Sequence, residues 1–123
     1  MIHLDSHVAV WIDAGRDRLS APARRLLAHE PCQISAMALL EIELLFELRR
    51  IGSDATEILG RLQHRIGLTV SPRPFLQVVD VARTFAWTRD PFDRLIVANA
   101  MADGARLITA DATILANFRD AVW

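Results

Sequence analysis

The stretch Ile2-His3-Leu4-Asp5-Ser6-His7-Val8-Ala9-Val10-Trp11 decides the fold. A short, mostly apolar run ends on Asp5, a favoured helix N-cap, and a helix-forming segment starts at Ser6. A strand feeding straight into a helix is the opening unit of an alternating α/β chain. The pattern recurs downstream. Pro31 to Ile34 is a second short apolar segment, after which Ser35 caps a long helix that runs to Gly52. Leu68-Thr69-Val70 reads as a third strand, Arg106 to Thr109 as a fourth, and Ala121-Val122 as an edge strand. The remaining helices are expected over Ser6 to Ala14, Ser20 to His29 with Pro22 in its first turn, and about Asp54 to Arg65. Further helices cover Phe75 to Thr88, Asp90-Pro91 to Gly104, and Ala112 to Asn117. Short apolar strands alternating with helices predict an α/β fold, a three-layer α/β/α sandwich around a short central parallel sheet. No linker, repeat or low-complexity segment interrupts residues 1–123, so one domain is expected.

Composition narrows the chemistry. The chain is 52% hydrophobic and 24% charged, which argues against disorder. Its net charge of −1 provides no global positive field to draw it to nucleic acid or membrane. All 14 basic residues are arginine, and the absence of lysine excludes a Schiff-base lysine, a P-loop lysine and a lysine general base. Tyrosine is absent too, so there is no tyrosine nucleophile. Cys32 is alone and follows Pro31 in an apolar stretch, which suits a small core residue in a reducing compartment. The first residues lack the basic region of a signal peptide, and no apolar run approaches a membrane span. A cytoplasmic protein without membrane association is expected.

In a parallel sheet flanked by helices, ligands bind beyond the carboxyl ends of the strands. Asp5 follows the first strand, and Asp111 follows the fourth in Leu107-Ile108-Thr109-Ala110-Asp111. Both are also N-cap positions, and a capping carboxylate can still bind a cation through its other oxygen. Glu41 is the strongest anomaly. On a helical wheel it falls among Met37, Leu44, Leu45 and Leu48, whereas Glu43, Glu47 and Arg50 gather on a solvated face. A carboxylate in an apolar stripe is costly unless paired or metal-bound. In Asp90-Pro91-Phe92-Asp93-Arg94, Asp90 reads mainly as an N-cap with Pro91 at the first helical position. Asp93 lies on the wheel with Ile96, Val97 and Ala100, a second inward carboxylate. Four carboxylates meeting at one sheet edge need a cation to stay ionised. Oxygen ligands favour a hard ion, Mg²⁺ with Mn²⁺ as substitute, over zinc. Such an ion can activate water against a phosphodiester, so metal-dependent phosphoester hydrolysis is the expected chemistry.

Leu4-Asp5-Ser6-His7, Ile34-Ser35-Ala36 running to Glu41, Asp90 to Ala98, and Leu107 to Asp111 resemble the successive motifs of PIN-domain ribonucleases. The likeness is greatest to the VapC toxins of bacterial type II toxin–antitoxin pairs, and it spans nearly the whole chain in order. It implies an acidic site of Asp5, Glu41, Asp93 and Asp111 holding one or two Mg²⁺ ions. Ser6 and Thr109 stand where supporting donors are found, and Asp90 belongs to a variant of the third motif. The resemblance further implies an RNA substrate, a homodimer, and a small antitoxin whose C-terminal segment covers the acidic groove.

Other features are weaker. His3 and His7 are separated by a strand and a turn and are not expected to share a metal. Trp11, Trp87 and Trp123 read as core or dimer contacts, and Arg16, Arg18, Arg89 and Arg94 lie near the motifs as possible phosphate contacts. The glycines form no phosphate loop, and no nucleophile elbow occurs. A receiver-type phosphoacceptor module has a similar length and order but needs a late lysine and an adjacent acidic pair, and this chain has neither. A PIN-like RNA-binding protein or a housekeeping nuclease without a toxin role is the remaining alternative.

Overall fold

Five strands alternate with seven helices over residues 1–123, all described by the computed structural model. In chain order these are β1 (Ile2–Leu4), α1 (Ser6–Asp13), α2 (Ala21–His29), β2 (Cys32–Ile34), α3 (Ala36–Glu47) and α4 (Ala55–Ile66). Then come β3 (Thr69–Val70), α5 (Phe75–Ala82), α6 (Pro91–Ala102), β4 (Arg106–Ile108), α7 (Ala112–Asn117) and β5 (Ala121–Val122). The strands form one wholly parallel sheet in the order β3-β2-β1-β4-β5, with Leu4 in register with Ile34 on one side and Ile108 on the other. This is the expected α/β/α arrangement. The chain steps outward from β1 to β3, then crosses back to β4. Right-handed crossovers therefore put α1 to α4 on one face and α5 to α7 on the other.

Central strands covered on both faces should be buried throughout. Ile2, Leu4, Ile34, Leu107 and Ile108 are buried, and Val8, Ile42, Leu62 and Ile96 pack over them from the helices. Cys32 is a buried core residue, as its setting predicts. Side chains of Asp5, Ser35, Asp90 and Asp111 accept hydrogen bonds from the first-turn amides of α1, α3, α6 and α7. Each helix therefore starts directly at its cap, and the caps after β1 and β4 fall side by side. The strand order reverses between β1 and β4, and at that switch point a parallel sheet opens a crevice.

Two helices are shorter than the sequence suggests. α3 ends at Glu47 rather than Gly52, because Arg49 takes a left-handed conformation (φ 59°) and the Arg50 amide reaches back to the Leu45 carbonyl. That closure is usually made by glycine. α5 ends at Ala82 rather than Thr88: the Thr84 hydroxyl donates to the Val81 carbonyl, and Arg94 Nε donates to the Ala82 carbonyl. Phe85 and Trp87 then stack at 5.2 Å and pack against the cores.

The wheel of α3 also needs correction. Its core face is Ala38 and Ile42, whereas Leu40, Leu44 and Leu48 are exposed. Glu43 is not merely solvated, since its carboxylate accepts from the Ala55 amide and helps start α4. On α6, Asn99 and the C-terminal cap Asp103 meet the residues at the sheet, His3 of β1 and Ser71 after β3. Asp103, with its side chain only 8% exposed, accepts from His3 Nε2 at 2.9 Å, Ser71 Oγ at 2.6 Å and Arg73 Nε at 2.8 Å. Asn99 Nδ2 donates to both Ser71 and Asp103. Burial holds His3 below its ordinary value against the pull of Asp103, which faces its Nε2. His3 Nδ1 is left buried without a partner.

Candidate active site

The crevice at the β1/β4 switch point is a cleft of about 360 Å³ whose walls include Asp5, Glu41, Asp90, Asp93 and Asp111. All four carboxylates expected from the sequence reach it, each by a different route. Asp5 is placed by the end of β1 and by three donors, the Ser6 amide at 2.8 Å, Ser6 Oγ at 3.4 Å and Thr109 Oγ1 at 2.6 Å. Thr109 Oγ1 also accepts from the Asp111 amide at 3.1 Å, so one hydroxyl links the acidic residues after β1 and β4. Asp111 caps α7 through the Ile114 amide. Glu41 enters from α3, where its carboxylate accepts a hydrogen bond from Ser6 Oγ. Ser6 and Thr109 are fully buried, and each holds a carboxylate in place.

Asp90 and Asp93 differ. The Asp90 carboxylate accepts from the amides of Phe92 and Asp93, which accounts for it as a helix cap. Asp93 projects from the first turn of α6 with no hydrogen-bond partner for its carboxylate. Burial raises it most, followed by the charges of Asp90, Asp5, Glu41 and Asp111, and its pKa reaches about 7. Glu41 is also raised, first by burial, with the Ser6 bond opposing and Asp5 adding to the shift. None of these five carboxylates takes part in an ion pair. Uncompensated negative charge is the dominant property of the cleft.

That charge and the all-oxygen donor set fit a hard divalent cation. As the side chains stand, no three acidic, histidine or cysteine groups surround a single point closely enough to hold an ion by themselves. A hydrated ion suits the arrangement better than a closed protein cage, since Mg²⁺ retains several waters and takes few carboxylates directly.

Two cleft residues were missed by sequence reasoning. His7 and Trp11, one turn apart on α1, form its non-acidic wall. Trp11 was expected in the core or at a dimer contact, because a wheel gives a helical face but not the neighbour that face meets. The same pair also borders a second hollow of about 510 Å³ between α1 and α4, whose apolar lining includes Val10, Leu45, Ile51 and Ile58.

The PIN domain family model matches residues 2–119. Ribonuclease VapC22 of Mycobacterium tuberculosis (strain ATCC 25618 / H37Rv) is 37% identical over 111 residues, 88% of this chain and 85% of that protein. The crystal structure of VapBC2 from Rickettsia felis, bound to a DNA fragment from their promoter, superposes with a TM-score of 0.66. The alignment covers 99% of this chain and 96% of that one at 16% identity. A toxin–antitoxin complex from Klebsiella pneumoniae gives the same TM-score and identity over 100% and 97% of the two chains. At these identities the two structures share a fold with this chain.

Proposed function

This chain belongs to the PIN-domain family, and from that premise we propose that it is a metal-dependent endoribonuclease, the toxin of a toxin–antitoxin pair. The observation that carries the reading is a set of four carboxylates from four elements, gathered in one cleft without a cationic partner. Asp5, Glu41, Asp93 and Asp111 would hold the ion, Mg²⁺ or Mn²⁺. When bound, it supplies charge stabilisation on phosphate oxygens and a water of lowered pKa. The chain's own part is positioning. The Ser6 amide and Thr109 fix Asp5, the Ser6 hydroxyl fixes Glu41, and Asp93 is left free to exchange a proton for the cation.

A cognate antitoxin would place a basic C-terminal segment over this acidic cleft. The adjoining apolar hollow, sharing His7 and Trp11, suits the apolar side of the same segment. A homodimer would cover apolar side chains left exposed on α3 and α5, among them Leu40, Phe75 and Leu76. The reading puts the protein in the cytoplasm with its RNA substrate, and no helix is long and apolar enough to cross a membrane.

Purified protein should cut total RNA with Mg²⁺ and stop with EDTA, and its induction should arrest growth until the antitoxin is co-expressed. Cleavage that persists in the chelator defeats the metal mechanism. Growth indifferent to induction leaves a housekeeping nuclease. Metal binding should also depend on pH with a definite sign. Protons compete for Asp93 below about pH 7, so Mg²⁺ should raise the melting temperature more at pH 8 than at pH 5. Replacing Glu41 by Gln keeps an acceptor for Ser6 while removing a charge. It should weaken Mn²⁺ binding by calorimetry about tenfold with an unchanged circular dichroism spectrum.

A further inference from the structure

An acidic cleft repels the strand it has to cut, and a chain of net charge −1 provides no general attraction to offset this. Local cationic and planar groups must seat the RNA. Several arginines are already engaged: Arg61 with Asp13, Arg73 with Asp103, Arg106 with Glu30, and Arg94 with the Ala82 carbonyl. Arg18 is different. Its guanidinium lies over the Trp11 ring, 5.2 Å from the centroid, in an exposed position and with no carboxylate or side-chain hydrogen bond. Trp11 also meets Trp123 edge-on at 5.7 Å and His7 at a tilt, with ring centroids 6.4 Å apart. His7 and Trp11 are the aromatic wall of the acidic cleft.

We propose that Arg18, Trp11 and His7 form the strip that seats the RNA strand beside the acidic site, a reading that rests on the endoribonuclease function above. Arg18 binds a backbone phosphate neighbouring the scissile one, its donors being free and its plane held by the indole. The Trp11–His7 edge receives an unstacked base, which favours unpaired over double-helical RNA. Stacking accepts any base, so this strip supplies affinity and register rather than a sequence code.

The test is fluorescence anisotropy of a labelled, mixed-sequence single-stranded RNA titrated with the protein in EDTA over a range of salt concentrations. Cleavage of total RNA in Mg²⁺ is followed in parallel. Arg18→Ala should weaken binding about tenfold and make the slope of log Kd against log salt shallower by about one. Arg18→Lys should restore the salt slope but not the full affinity. Trp11→Ala should weaken binding about tenfold, and Trp11→Phe, which keeps an aromatic plane in the same packing, should retain most of it. An Arg18→Ala protein with unchanged Kd and salt slope overturns the proposal. If the wild-type protein cuts no RNA, the endoribonuclease reading itself fails instead.

Discussion

Asn in place of Asp93 should lower RNA cleavage by about 10³-fold and, in the absence of metal at pH 8, make the protein more stable. Both effects come from one carboxylate. In the unfolded chain Asp93 ionises at its ordinary 3.8, whereas in the folded protein burial and four neighbouring carboxylates raise it to about 7. Stability linked to this group is complete below about pH 4 and lost progressively as pH rises through the folded value near 7. Above that the penalty is constant. Discounted for the open cleft, it amounts to about 1–2 kcal/mol, or about 5 °C in melting temperature. Asn is close in shape and carries no charge, so it removes the penalty while leaving α6 and its Asp90 cap intact. Thermal melts in EDTA should therefore coincide near pH 4 and diverge by pH 8, with the variant higher. A variant less stable than wild type at pH 8 would show that Asp93 is held by a favourable contact rather than by function.

Asp103→Ala should produce the opposite outcome, a protein about 3 kcal/mol less stable with its cleft chemistry preserved. Asp103 is the common acceptor for His3, Ser71, Asn99 and Arg73. Burial alone would raise its carboxyl, but the donors from Ser71, Arg73 and His3 bring it below its ordinary value. Removing it strands a fully buried imidazole that already has one unpartnered nitrogen. The melting temperature should fall by about 10 °C, while RNA cleavage per folded molecule below the transition stays within about twofold of wild type. The wild type should also lose stability on acidification. A depressed Asp gives up its contribution as pH falls below 3.8, and a depressed His as pH falls below 6.5. Below about pH 4 the Asp103→Ala protein should show a shallower acid limb, because the carboxylate part of that linkage is gone.

The strand–cap–helix units were legible because each is local. An apolar run followed by Asp or Ser fixes both the strand end and the helix start, and with them the positions of Asp5 and Asp111; Asp93 is placed instead by the Asp90-Pro91 start of α6. Glu41 was legible as an anomaly, although the apolar stripe used to find it proved to be partly an exposed one. What stayed hidden depended on distance or on docking. His3 and Asp103 meet across 100 positions of sequence, and nothing local in either segment marks the partnership. Arg49 takes a conformation usually reserved for glycine, so the end of α3 carried no signal. Trp11 is on a helix whose apolar faces meet two hollows as well as the core, and its role beside the cleft depends on what α3 and α7 bring next to it.

The bond from Thr109 to Asp5 spans 104 positions, and the Thr109 amide is itself tied to the Val122 carbonyl on β5. Ribosomes deliver residues in order, and sheets built from distant segments close only when the last segment arrives. While β4 and β5 are still in the exit tunnel, Asp5 has no threonine to hold it and Asp111 is not in place. A cleft built on this topology is complete only once its last strands have joined the first.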